Sequence, residues 1–306
     1  MYLFTKKKIT KKRTNKKRRK KSIKKLKVQW IRHCISNNNI LPMKYKILKY
    51  FKGNFEDPNI IDEMFLVYDQ LTQKSDYQKE LQKTDFILCS TVKRTLETAM
   101  FFFLPYLFEE KIKIVPGICE IGIGPGNKVY SKDKLFSRIH YWLLHLKKIM
   151  KDKKFKKVKH PLFDMLKSKG GLKMIEKAVK KTYSDFNDPT WKPIKNYKNS
   201  PNDMFINCLY NYLKKKSLLD QTISIISHSK YIKNFVLINY PKNRVLNNEI
   251  INFTYEFNSE SNRKNKIVKK TQKKRNYLGC VHNNVNFECL YNKKKKKLTK
   301  KISIQT

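Results

Sequence analysis

LKVQWIRHCISNNN, residues 26–39, passes from a strand-like run into a polar loop and sets an arginine beside a histidine at the changeover. The chain carries 70 Lys plus Arg, yet between the basic N-terminal run and the basic C-terminal stretch only Arg32, Arg94, Arg138 and Arg244 are arginines. A planar, two-pronged guanidinium does what an ammonium cannot, so these few positions carry more information than the many lysines. The same arrangement recurs twice. TDFILCS (84–90) reads as a buried strand and is followed by Arg94; TISIISHS (222–229) reads as another and ends on His228. Three strand–loop–helix units of this kind imply an α/β fold. In an open α/β sheet the carboxyl ends of the strands border the ligand crevice, and helix N-termini aimed there favour an anion. Two arginines and two histidines thus converge on one sheet edge. That set suits phosphate: guanidinium forks grip its oxygens, and an imidazole can attack phosphorus.

Working outward, KYKILKYF (44–51) and IIDEMFLVYDQLTQ (60–73) read as helices, the second announced by Asp57-Pro58. RTLETAMFFFLPYLF (94–108) starts a helix of good formers, and KIKIVPG (111–117) is a strand with a Pro-Gly stop. Residues 126–220 are mostly helical, with FSRIHYWLLHLKKIM, LKMIEKAVKKTYSDF and NDMFINCLYNYLKKK as the periodic segments. KYIKNFVLI (230–238) follows as a helix, and EIINFTYEF (249–257) alternates like a final edge strand. The expected architecture is a three-layer α/β/α sandwich on a mostly parallel, doubly wound sheet over residues 26–258, with 126–220 as a helical insertion or cap over the site. Residues 1–25 are expected to be a disordered basic arm, centred on KKRRKK (16–21), and 259–306 a lysine-rich tail with one apolar patch, YLGCVHNNVNFECLY.

At 306 residues and 40% apolar content the chain can bury a sizeable core. The longest apolar stretch, AMFFFLPYLF (99–108), is too short to span a bilayer and holds Pro105. MYLF at the start runs straight into lysines, unlike a secretory leader. Six cysteines without a compact framework suit reduced thiols in an intracellular protein, cytoplasmic or nuclear. Cys280 and Cys289 flank His282 at a spacing that matches no common zinc pattern. His140, His145 and His160 read as surface or packing residues. The net charge of +46 admits two accounts. One is nucleic acid or another polyanion held by the basic tails. The other is an AT-rich coding sequence, of the kind found in giant DNA viruses and some protists, which enriches Lys, Asn, Ile, Phe and Tyr together.

The segments also resemble a family, the histidine phosphatases or phosphoglycerate mutase-like superfamily. Arg32-His33-Cys34-Ile35-Ser36-Asn37-Asn38-Asn39 is similar to its Arg-His-Gly block, which often continues Glu-Ser-x-x-Asn. Ser90, Arg94, Thr98 and Ala99 match its second block, Ser-Ser-Pro-x-x-Arg-x-x-x-Thr-Ala. Pro116-Gly117-Ile118-Cys119-Glu120 resembles the segment that carries its glutamate, and Ser227-His228-Ser229 its Ser-His-Gly. All four stand in the family's order. Cys34 and Ser229 occupy positions where the family has glycines, and Ile35 one that is often polar.

The resemblance implies that His33 is the nucleophile and that Arg32, Arg94 and His228 hold the transferring phosphoryl group, with Ser36 and Asn39 beside it. Glu120 would protonate the leaving oxygen and then activate water. The implied activity is metal-independent hydrolysis of a phosphate monoester, on a small molecule or a phosphoprotein, with no cofactor. General chemistry asks for the same groups: a neutral imidazole, fixed cations where charge develops and a carboxylic acid for the leaving alkoxide. Two alternatives stay open. One is mutase-type phosphotransfer, which needs a second phosphate-binding end. The other is an idle basic scaffold for nucleic acid or acidic partners. Fold alone does not separate them.

Overall fold

The computed structural model describes residues 23–34, 36, 61, 64–65, 68, 75–118, 131–155, 158–185, 187–188, 191, 201–237, 245–258, 267–272, 279–283, 286–293 and 296–303. The expected helix at 44–51 and the arm up to residue 22 lie outside them. Six strands form the main sheet: β1 (Ile23–Arg32), β2 (Phe86–Cys89), β3 (Ile112–Ile114), β4 (Thr222–Ser227), β5 (Ile250–Asn258) and β6 (Ile267–Gln272). Their order is β3-β2-β4-β1-β5-β6. The first four are parallel, β5 pairs antiparallel with β1, and β6 antiparallel with β5. The fold is α/β with a mixed sheet.

Strand periodicity divides the core into two. Ile31, Ile87, Cys89, Ile112, Ile114 and Ile226 pack on one face, against a layer that includes helices α1 (Ser75–Gln82), α2 (Lys93–Phe102), α3 (Leu104–Phe108), α4 (Lys132–Ile149), α5 (Pro161–Lys167) and α6 (Gly171–Lys181). Trp30, Phe86, Leu88, Ile223, Ile225, Phe253 and Tyr255 pack on the other, against α7 (Pro201–Lys215) and the short helix α8 (Ser229–Tyr231) with its π turn. The interior parallel strands are buried on both faces, which is why FILC and TISIIS read as near-continuous apolar runs. Within this sheet Gln29, Thr84 and Ser224 satisfy one another by side-chain hydrogen bonds of 2.6–3.0 Å.

Several boundaries differ from the sequence reading. β1 begins at Ile23, inside the run assigned to the basic arm. Lys24, Lys25 and Lys27 are exposed while β5 templates the strand, and Lys25 reaches Glu256 at 3.7 Å. β5 is not an edge strand, because β6, from the stretch read as tail, pairs along its outer side, where Lys270 forms an ion pair with Asp203 of α7. Three further strands there, Gly279–Asn283, Asn286–Lys293 and Lys296–Ser303, form a separate antiparallel sheet. The helix expected over 94–108 is two: the chain leaves helical geometry at Phe103 (φ −132, ψ 35), where Pro105 removes a donor and clashes with a continuing turn. The stretch 126–220 is also divided: α4–α6 belong to one face of the sheet and α7 to the other. The helix expected at 60–73 is helical at residues 61, 64, 65 and 68. Among the described residues no helix is long and apolar enough to cross a membrane.

Candidate active site

The carboxyl ends of β1, β2 and β4 are held level. Arg32 pairs with Ser227 and Cys89 with Ile226. Beyond these pairs the His33 N–H donates to the Ser227 carbonyl at 3.0 Å, and the Ser90 N–H to the Ile226 carbonyl at 3.4 Å. The register therefore sets His33, Ser90 and His228 side by side. Arg94, in the first turn of α2, leans over them from the β2 side.

One guanidinium joins the two histidines. Arg94 donates from Nε to His33 Nε2 and from Nη2 to His228 Nδ1, both at 3.0 Å. The imidazole rings lie 5.1 Å apart and tilted by 59°. A guanidinium only donates, so both contacted nitrogens are lone-pair acceptors. The proton of neutral His33 is then on Nδ1, which donates to the Cys34 carbonyl at 2.5 Å. That of His228 is on Nε2, which donates to Ser90 Oγ at 2.8 Å. Both side chains are buried. Burial above all, then the charge of Arg94, pushes both pKa values well below the usual 6.5; Arg32 adds to this at each ring, and His33 adds to it at His228. Both rings are thus neutral at pH 7. His33 presents a nucleophile-ready lone pair at Nε2, masked by Arg94 in this state.

A segment that sequence reasoning missed, residues 245–249, clamps the end of β1. Arg32 donates from Nη1 to the Val245 carbonyl at 2.7 Å. Asn247 Nδ2 donates to the His33 carbonyl at 3.0 Å, and the Asn248 N–H to the Arg32 carbonyl at 2.9 Å. The Cys34 thiol donates to Asn248 Oδ1 at 3.1 Å. Asn248 sits at φ 56, a left-handed conformation that asparagine tolerates better than most residues. The one signal for this clamp is the turn-forming pair Asn247-Asn248 ahead of a strand. Asn248→Ala is expected to cost about 1–2 kcal/mol in urea unfolding, because it removes the thiol's acceptor and puts at positive φ a residue without the short polar side chain that eases the left-handed conformation.

Cys34 fills its position as a protonated thiol. Burial pushes its pKa up to about 12, and its N–H donates to Thr98 Oγ1 at 3.0 Å. Below it, Lys93 and Glu97 form a buried ion pair at 3.5 Å. Cys34, Cys89 and Cys208 are free thiols. On the β3 side, Gly117 turns the chain at φ 91 and Ser227 Oγ donates to the Ile118 carbonyl at 2.8 Å. The structure thus brings Arg32, His33, Arg94 and His228 to one place and buries Ser36 three residues past His33. Asn39, Glu120 and Arg244 lie outside the described residues, and Arg138 is half-buried on α4.

The remaining histidines are unlike one another. His145 is exposed, and His140 is half-buried against Glu176. A surface groove of about 240 Å³ lined by His140, Glu176 and Lys180, among others, contains none of the converging residues. His160 is buried: its Nδ1 caps α5 by accepting the Leu162 N–H at 3.1 Å, and its ring stacks on Phe101 at 3.9 Å. Burial lowers its pKa to about 3. The unfolded chain takes up these protons first, so stability present above pH 6.5 is lost as pH falls towards the folded values. His33, His160 and His228 all contribute to that loss, and for His160 it reaches about 2 kcal/mol by pH 5, at 1.36 kcal/mol per unit below 6.5. Urea midpoints should fall steeply between pH 7 and 5. His160→Asn, which keeps a capping oxygen, should make that fall shallower. Among the described residues no group of three His, Cys, Asp or Glu side chains is placed to hold a metal ion.

No family model matches the chain, and no curated protein matches it. Among solved structures it is similar to a candidate alpha-ribazole-5'-P phosphatase from Escherichia coli. The two are 12% identical over 82% of this chain and 95% of that one, with a TM-score of 0.32. A likeness at that level carries no argument.

Proposed function

We propose that this chain hydrolyses a phosphate monoester through a phosphohistidine at His33, in the manner of the histidine phosphatases that its four segments resemble. The observation that carries the reading is the convergence of Arg94, His33 and His228, with His33 held neutral and its lone pair on Nε2. The arriving phosphate draws the Arg94 guanidinium off the two rings and onto its oxygens, where a fork gives paired, charge-assisted bonds. His33 Nε2 is then unmasked. Its lone pair forms the N–P bond as the ester P–O bond breaks, and the Cys34 carbonyl, bonded to Nδ1–H, supports the ring as it becomes cationic. Arg94 neutralises the equatorial oxygens with no reorganisation left to do in the transition state. Water then displaces His33 from phosphorus and restores the neutral imidazole.

Glu120 enters through the resemblance, as the acid that gives the leaving alkoxide its proton and the base that takes one from water. Glu120→Gln is expected to slow hydrolysis of a sugar phosphate at least tenfold more than that of an aryl phosphate, since a phenolate departs unaided. Equal losses on the two esters would remove Glu120 from that role. A phosphatase assay over a panel of metabolites and phosphopeptides tests the activity itself. Phosphate release that depends on His33 supports the reading, and its absence throughout the panel counts against it.

A further inference from the structure

Ser90 has no part in the mechanism above, yet its hydroxyl is fully buried and touches the ring nitrogen of His228 that faces away from Arg94. Its partners are His228 Nε2 at 2.8 Å, Thr95 Oγ1 at 3.2 Å and the Val92 N–H at 3.2 Å. Thr95 Oγ1 in turn donates towards the Ser90 and Val92 carbonyls, at 3.0 and 2.7 Å. The direction of the chain follows. Arg94 can only donate, so His228 Nδ1 accepts and Nε2–H donates to Ser90 Oγ; the Ser90 proton then points to Thr95 Oγ1, whose own proton goes to a carbonyl. Ser90 is thereby oriented as an acceptor towards His228.

Phosphate reverses the demand at the other nitrogen. When a phosphoryl oxygen replaces Arg94 beside Nδ1, a bare lone pair there would face an anion. We propose that Ser90 is a positioning residue that lets His228 take a second proton, from the bound phosphate itself. The inference rests on the phosphatase reading above. The step balances: a monoanionic phosphate gives its P–OH proton to Nδ1, leaving a dianion beside an imidazolium. Nδ1–H then donates to phosphate while Nε2–H keeps Ser90 Oγ. Among the described residues, the charged and titratable groups facing His228 are Arg94 from α2, and His33 and Arg32 from the end of β1. All three disfavour the extra proton until phosphate screens them. The site therefore takes its ester with one proton shared between phosphate and His228.

The test is long-range proton–nitrogen NMR on the full chain with ¹⁵N-labelled histidine, titrated without and with saturating inorganic phosphate, binding being followed by ³¹P. Free protein should show His228 protonated at Nε2 alone at pH 7. With phosphate bound, Nδ1 should also carry a proton, an outcome that needs no variant. In Ser90→Ala the phosphate-bound imidazolium should lose its proton at least about one pH unit lower, as expected for a lost charge-assisted hydrogen bond. Ser90→Thr, which keeps the hydroxyl, should restore the titration. Bound phosphate with His228 still bare at Nδ1, or an unchanged titration in Ser90→Ala, overturns the role of Ser90 and leaves the phosphatase reading standing. Failure of phosphate to bind at all overturns that reading and this inference with it.

Discussion

His33→Ala is expected to abolish phosphate release, with kcat/KM lower by about four orders of magnitude or more, the scale on which removal of a covalent nucleophile acts. The His33 imidazole has its lone pair set up by bonds at both ring nitrogens, Nδ1–H donating to the Cys34 carbonyl and Nε2 accepting from Arg94. Alanine leaves the fixed cations in place but gives phosphorus nothing to bond to. The fold should survive, because the strand register and the 245–249 clamp act through backbone groups around His33 rather than through its ring. Far-UV circular dichroism and urea unfolding check this alongside the assay. The pH profile carries a second sign. His33 is buried against two arginines and stays neutral as pH falls through 6, so an acid limb near pH 6 in wild-type kcat/KM should not come from its protonation. Wild-type rates from the alanine variant would refute the covalent route.

Arg94→Lys should cost at least about tenfold in kcat/KM, and Arg94→Ala a hundredfold or more. Lysine keeps the charge. It has a single ammonium, however, where arginine reaches His33 Nε2 and His228 Nδ1 from two nitrogens of one plane. The loss therefore has two parts, weaker hold on the phosphoryl oxygens and looser control of which ring nitrogens carry protons. Binding of inorganic phosphate should weaken in both variants, and more in alanine. A lysine variant with unchanged kcat/KM would mean that charge alone is required and that the forked geometry is incidental.

Much of this site was legible because Arg32, His33, Ser90 and His228 follow directly on the apolar ends of strands. WI before Arg32, ILC before Ser90 and IIS before His228 read as buried parallel strands, and parallel strands in register bring such ends together whatever the loops do. The rarity of arginine then drew Arg32 and Arg94 out of the many lysines, together with Arg138 and Arg244. What stayed hidden depends on partners distant in sequence. Nothing near Ile23-Lys24-Lys25 announces a strand; β5 makes it one. β5 looked like an edge because its alternation is that of a strand with one better-buried side, and its outer partner comes from a lysine-rich stretch. The 245–249 clamp works mostly through carbonyls and two asparagine side chains, which leave little trace in a pattern of apolar residues. The cap formed by His160 looked like a packing histidine, since the residue before a helical proline is seldom histidine among the preferred caps. Of the polar network of Ser90 and Thr95, only Ser90 was visible, as one match in a motif, without the direction of its protons.

The central claim is that His33 receives the phosphoryl group, and the most direct measurement of it is chemical trapping. Wild-type chain mixed with a ³²P-labelled monoester and denatured within the turnover time should retain label that is stable to base and lost in acid, as a phosphoramidate is. Peptide mapping should place that label on His33, and the His33→Ala chain should retain none. Label on another residue, or steady hydrolysis with no base-stable label in the wild type, would contradict the account.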